Sequence, residues 1–226
     1  MLVWQDMVSG GGTYDGWETS YKPTLWRGSW GDYSDTSASH QRRLGADDVA
    51  YQRQWMRECR GTVAHLRAHP SVVTWVLFNE AWGQFEARRA VGLVRRLDPT
   101  RPIDAVSGWY DQRCGDFLSV HNYFRPLEVY ADAARPHRAF VISEFGGLSL
   151  RVPGHSVLPT SYGYGSFGNL TSFRAGVRSV LAQADALEAK GLAGYVYTQL
   201  SDVEEETNGL ITYDRRVNKL EEGECL

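Results

Sequence analysis

The chain has 226 residues, 42% of them hydrophobic and 23% charged, with a formal net charge of -3. Those values fit a soluble globular chain that buries a core without disulfides or a structural metal. They exclude the basic field of a nucleic-acid binder and an acidic tail. The longest strongly apolar stretch, Val72 to Phe78, is too short to cross a bilayer, so no membrane partner is expected. The opening Met1-Leu2-Val3-Trp4 has no basic region, and the three widely spaced cysteines, Cys59, Cys114 and Cys225, form no CxxC pair. Both features point to a reducing, cytoplasmic location.

In chain order, Leu2-Val3-Trp4 reads as a buried strand ending at Gln5-Asp6. Ser9 to Asp35 reads as a long loop crowded with rings, among them Trp17, Trp26 and Trp30. Asp47 to His69 predicts a helix with Asp47 or Asp48 as N-cap and Pro70 as its stop. Val72 to Phe78 predicts a strand covered on both faces, followed by Asn79-Glu80. Phe85 to Leu97 is helical by spacing. Ile103 to Val106, Phe117 to Val120 and Phe140 to Ile142 are short strand candidates. They end at Ser107-Gly108-Trp109, His121-Asn122-Tyr123 and Ser143-Glu144. Thr171 to Lys190 predicts a helix closed by Gly191, and Leu192 to Thr198 a last strand. Gly163 to Gly168 matches GxGxxG literally but follows no strand, so a loop is expected there and not a dinucleotide site.

Strands alternating with helices imply βα units and a parallel sheet. Polar or carboxylate residues end every strand, which favours a (β/α)8 barrel with its chemistry on one face. All eight tryptophans lie in the first half of the chain, and flat rings are a common device for holding sugars.

Glu80 and Glu144 each follow a strongly apolar strand. Two rigidly held acids of this kind can flank a glycosidic bond, one protonating the leaving oxygen and the other attacking the anomeric carbon or activating water. For one strand-end glutamate alone, an ordinary salt bridge is the simpler explanation; two in these contexts favour catalysis.

The stretch His69-Pro70-Ser71-Val72-Val73-Thr74-Trp75-Val76-Leu77-Phe78-Asn79-Glu80-Ala81-Trp82-Gly83-Gln84-Phe85 resembles the acid/base strand of glycoside hydrolase family 2, which includes β-galactosidases, β-glucuronidases and β-mannosidases. Leu97-Asp98-Pro99-Thr100-Arg101-Pro102, Val120-His121-Asn122-Tyr123 and Phe140-Val141-Ile142-Ser143-Glu144-Phe145-Gly146-Gly147 resemble further segments of that family in the same order. The resemblance implies that Glu80 is the general acid/base and Glu144 the nucleophile of a retaining, exo-acting β-glycosidase. It implies that Asn79 binds the sugar 2-hydroxyl and that Tyr123 hydrogen-bonds Glu144. His121 is placed in the pocket, or alternatively behind it as a satisfied buried histidine. Trp109, Asp6 and Trp82 complete the substrate-binding candidates, and Asp202 is a weaker one. No cofactor or essential metal is implied; the partner is an oligosaccharide or glycoside. A tryptophan that many members carry on the eighth strand is missing from Tyr195-Val196-Tyr197-Thr198, which leaves the sugar open. A β-galactosidase-like activity leads, with β-mannosidase and β-glucuronidase as alternatives.

If Glu80 ends the fourth barrel strand, Leu2-Val3-Trp4 is the third. The expectation is then that residues 1–226 are a partial catalytic barrel, of about strands three to eight, without the first two βα units or the family's N-terminal β-sandwich domains. The competing expectation is an inert fragment or a carbohydrate-binding remnant.

Overall fold

A computed structural model describes residues 1–25 and 33–221 of the chain. Trp26 and Trp30, two rings of the aromatic loop, and Cys225 lie outside the described residues. The chain divides into two compact units, the first comprising Met1–His121 with Tyr130–Val141 and the second Asn122–Val129 with Ile142–Leu226.

The first unit is built on a parallel sheet. Strands β1 (Val3–Asp6), β2 (Val72–Val76) and β3 (Ile103–Asp104) lie side by side in that order. Their registers put Asp6 opposite Val76, and Val76 opposite Asp104. Two helices cover the sheet, α3 (Val49–Leu66) and α4 (Ala87–Leu97). From α3, Trp55, Cys59 and Val63 point inward, and from α4, Ala87, Ala90 and Val94; they meet Trp75, Leu77 and Phe78 in one buried cluster. Asp48 caps α3, its side chain accepting from the Ala50 N–H, as expected of a short acceptor before a helix. The cap of α4 comes from far away: buried Asp35 accepts from the Ala87 N–H at 2.8 Å.

Two expectations in this unit need correction. Ser9 to Asp35 is not a plain loop: it carries a π-helical turn, Trp17–Tyr21, continued by α1 (Lys22–Leu25), and α2 (Ala38–Arg43) follows. Tertiary contacts hold the turn, since buried Glu18 pairs with Lys22 and Arg43 and accepts the Tyr110 hydroxyl. The strand after Pro102 is only two residues long. Beyond it Leu77 donates to Asp104 O and Ser107 to Phe78 O, so the two chains stay side by side as irregular backbone.

Strands β4 (Phe117–Asn122) and β5 (Ala139–Gly146) each begin in the first unit and end in the second, and β5 is followed by β8 (Leu192–Thr198) in the order β4-β5-β8. In the second unit, β6 (Leu148–Ser149) pairs with β7 (Gly165–Ser166). The glycine-rich segment therefore supplies a short strand, neither a plain loop nor a dinucleotide turn. Helix α5 (Leu170–Asp185) is capped by Asn169, whose side chain accepts from Ser172 N–H. Its Phe173 and Val177 pack with Leu150. The helix ends five residues before Lys190, and a short 3-10 turn, Glu188–Lys190, precedes the left-handed Gly191. Among the described residues the strands form two three-stranded sheets and one pair, with β1-β2-β3 and β6-β7 parallel, and no closed barrel.

Candidate active site

Glu80 does not sit directly on a strand end. Strand β2 stops at Val76, and Asn79 makes an isolated parallel bridge to Ser107. Glu80 and Ala81 then adopt left-handed backbone, with φ of 46° and 63°, and Gly83 follows at 68°. Left-handed backbone is costly for residues with a side chain and persists only where the surroundings fix it. Here they do. Glu80 N–H donates to Ser107 O, Trp82 N–H to Asn79 O, Gly83 N–H to Leu44 O, and the Tyr51 hydroxyl to Gly83 O. A side chain at residue 83 would meet Gly10 O and the Tyr51 hydroxyl at about 2 Å, so only glycine closes this turn.

The Glu80 carboxylate has a dedicated partner. His121 Nδ1 lies 2.9 Å from Glu80 Oε1, and His121 Nε2 lies 2.7 Å from Ser107 Oγ. With Glu80 ionised, Nδ1 carries the proton and donates to the carboxylate, while Nε2 accepts the serine O–H; the serine thereby fixes the tautomer. The His121 side chain is fully buried and Trp109 packs against it edge-on at 5.6 Å. A Cβ on Gly108 would stand 2.8 Å from the His121 ring, which explains the glycine between Ser107 and Trp109. Further down β3, Asp104 is wholly buried. Burial pushes its carboxyl up to about 7, against the opposing pull of Ser119 and His121.

The other sequence-predicted residues of the first unit lie as follows. The Asn79 side-chain oxygen is buried with no hydrogen-bond partner among the described residues. Asp6 is the exposed last residue of β1. Trp82 is partly exposed and stacks on Tyr14 at 6.2 Å. Trp109 is buried. The early crowding of tryptophans has mixed causes. Trp55 stacks on Phe78 and Trp75 donates to Asp98, so both belong to the core.

In the second unit, Glu144 lies inside β5 and not after it, because the strand runs on to Gly146. The Tyr123 hydroxyl donates to Glu144 Oε2 and lies 3.2 Å from Thr198 Oγ1 at the end of β8. The Tyr123 ring is stacked on Tyr164, centroids 3.9 Å apart. Gly147, at φ 58°, makes room for this stack: a Cβ there would stand 2.4 Å from Tyr164 and 3.1 Å from Tyr123. Asp202, a weaker sugar-contact candidate, has another occupation. It is buried in an ion pair with Lys219 at 2.7 Å and accepts from Gly209 N–H. Burial raises the Asp202 carboxyl and lowers the Lys219 ammonium, each opposed by the partner's charge.

Sequence reasoning does not single out Ser107, Thr198 or Tyr164 as site residues. The first two do carry a signal, since both stand at strand ends. Tyr164 carries none, because its place beside Tyr123 depends on the β6–β7 pair.

The family model described as glycosyl hydrolases family 2, TIM barrel domain, matches residues 27–160. Among solved structures, the β-D-glucuronidase of Dictyoglomus thermophilum matches with a TM-score of 0.55 at 17% identity, over 78% of this chain and 35% of that one. A family 2 β-galacturonidase from Eisenbergiella tayi, bound to galacturonate, matches with a TM-score of 0.57 at 16% identity, over 83% of this chain and 38% of that one. At these identities the likeness concerns the fold. The chain spans little more than a third of the length of either structure. No curated protein matches it in sequence.

Proposed function

We propose that this chain, which belongs to the glycosyl hydrolase family 2 TIM-barrel domain, carries both catalytic carboxylates of a retaining, exo-acting β-glycosidase. The observation that supports this most is the separate hydrogen-bond partner given to each glutamate, His121 for Glu80 and Tyr123 for Glu144. An ordinary surface salt bridge needs no such provision.

In this reading Glu144 attacks the anomeric carbon while Glu80 gives its proton to the glycosidic oxygen. The C–O bond to the leaving group breaks and a glycosyl ester forms on Glu144. Glu80, now ionised, takes a proton from water; the hydroxide attacks the same carbon and Glu144 leaves as carboxylate. Retention requires the two carboxyls to stand about 5–5.5 Å apart across the bound sugar. In the base step His121 donates from Nδ1 to the Glu80 carboxylate and holds it in place, and Ser107 keeps that proton on Nδ1. The free oxygen of Asn79 is an acceptor for the sugar 2-hydroxyl, a contact that strengthens in the oxocarbenium-like transition state. Trp109 backs His121, and Asp6 and Trp82 are the outer candidates for sugar contact.

For the sugar we favour a β-galactoside. The uronidases among the fold relatives place β-glucuronides and β-galacturonides on the same panel, with β-mannosides and arabinosides. Aryl glycosides of these sugars should separate them: one is cleaved well above the rest, and its first-formed sugar is the β-anomer by proton NMR. An α-anomer would refute retention. Saturable sugar binding without turnover on any member would assign the non-catalytic reading.

Tyr123→Phe keeps the ring stacked on Tyr164 and removes only the hydroxyl. Loss of a hydrogen bond to a charged group is worth about 1.5–3 kcal/mol, so kcat/KM should fall by about 10- to 150-fold. The variant should stay folded at the assay temperature, so that the loss is read on native protein. Unchanged kinetics would remove Tyr123 from the site.

A further inference from the structure

The first unit contains a concavity, of about 850 Å³, at the starts of the strands. Pro102 precedes β3, Phe117 opens β4 and Ala139 opens β5, and all three line it. Ser107 lies beyond the other end of β3 and His121 near the other end of β4, so this cavity is not part of the site around Glu80.

Four arginines line it: Arg88, Arg113, Arg135 and Arg138. Arg138 is a buried strut, bonded to Asp111 and Asp132 and donating to Phe117 O. The one acid in the lining, Asp116, is engaged by Arg95 at 2.5 Å. Arg113 shares Asp132 at 3.8 Å. Arg88 and Arg135 make no ion pair among the described residues. Arg88, Arg95, Arg113, Arg135 and Arg138 gather here with Asp111, Asp116 and Asp132, and the buried Asp35 carboxylate also acts on Arg88, so the arginines outnumber the acids.

The backbone beneath is strained as well. Arg113 sits at φ 51°, its N–H held by Asp111 Oδ1. Gly115 follows at φ 76°, where a Cβ would stand 2.7 Å from Ile103 O. Left-handed backbone at a bulky cationic residue is costly and collects at ligand sites.

We infer that this cavity binds a small organic oxyanion, a phosphate ester or a polycarboxylate, through Arg88, Arg113 and Arg135. Guanidinium forks match such groups in bidentate fashion, and a cavity of this volume takes a metabolite-sized body. Phe117, Pro102 and Pro136 would line the apolar side of the bound molecule.

The test is isothermal titration of the full 226-residue chain with pyrophosphate and with citrate, each at ionic strength matched with sodium chloride. Saturable binding with Kd of about 1 mM or tighter is expected for at least one. Tighter pyrophosphate assigns a phosphate ester, and tighter citrate a polycarboxylate. Arg88→Gln with Arg135→Gln, both exposed and without an ion pair among the described residues, should weaken binding at least about tenfold, or 1.4 kcal/mol, with the protein still folded by its cooperative melt. Arg53→Gln with Arg60→Gln on the exposed face of α3 removes the same charge elsewhere and should leave binding intact. Two outcomes overturn the inference: no saturation by either anion, or equal weakening by the two pairs of substitutions.

Discussion

Glu144→Gly should lower hydrolysis of the preferred aryl β-glycoside by about ten-thousandfold or more, the usual cost of removing a catalytic nucleophile. The substitution leaves a space on the face of the sugar opposite the leaving group. Azide in that space can attack the anomeric carbon directly as the aryl oxide departs. One inversion then gives the α-glycosyl azide, with turnover restored in part. Glu80→Ala should behave differently. An activated aryl leaving group needs no proton, so the ester on Glu144 still forms, and the slow step becomes its hydrolysis without a base. Azide attacks the ester, and two inversions give the β-glycosyl azide. The two product configurations separate the roles of the glutamates in a way that activity loss alone cannot. The α-product from Glu80→Ala would reverse the assignment. Full activity in Glu144→Gly would end it.

The second large effect concerns stability. Asp98 is buried at the end of α4. Its Oδ2 accepts from Trp75 Nε1 at 3.1 Å and from Arg101 at 2.6 Å; Oδ1 accepts from the Thr100 N–H and hydroxyl. Arg101 also donates to Val72 O and His69 O, tying the segment to the start of β2. Asp98→Ala strands a mostly buried guanidinium and an indole N–H at once, and should cost about 3–5 kcal/mol by chemical denaturation. Asp98→Ala with Arg101→Ala should cost less than the sum of the single changes, because the second removes the charge that the first leaves unpaired. A loss within about 0.5 kcal/mol for Asp98→Ala would place the network among neutral surface pairs.

The same network has a pH signature. Burial pushes the Asp98 carboxyl up, but the bonds from Thr100, Arg101 and Trp75 outweigh it and hold the carboxyl well below its ordinary 3.8. A carboxyl lowered in the fold contributes stability in full above the unfolded value and loses it as pH falls toward the folded one. Stability should therefore drop with acid from about pH 4 downward, and Asp98→Ala should flatten that slope.

Much of the framework is legible in the sequence because local chemistry decides it. Asp48 caps α3 as expected, although the helix already ends at Leu66, short of Pro70, and Leu192–Thr198 is β8 to the residue. The segment Leu97 to Pro102 stands out through its resemblance to family 2; that it is a clamp around Asp98 is visible only in three dimensions. Elsewhere distant partners make the choice. The turn at Trp17 depends on Glu18 meeting Arg43 and Tyr110, far along the chain. The left-handed turn at Glu80 depends on Ser107, Leu44 and Tyr51. No period or propensity in Asn79-Glu80-Ala81 reports those bonds. Candidate residues such as Glu80 and Glu144 can be picked from sequence because they follow or extend apolar runs, and Tyr123 through the family resemblance of its segment. Their supports, Ser107, Thr198 and Tyr164, are small or generic residues whose meaning comes from what they touch.

The proposal that Glu144 is the nucleophile of a retaining glycosidase can be tested by trapping. A 2-deoxy-2-fluoro β-glycoside of the preferred sugar, with dinitrophenolate as leaving group, slows both chemical steps through the electron-withdrawing fluorine, while the good leaving group keeps the first step the faster. The expected result is a stoichiometric mass increase on the peptide containing Ser143-Glu144-Phe145, with the ester on Glu144. A label on Glu80, or turnover of the parent glycoside with no covalent adduct at any residue, would contradict it.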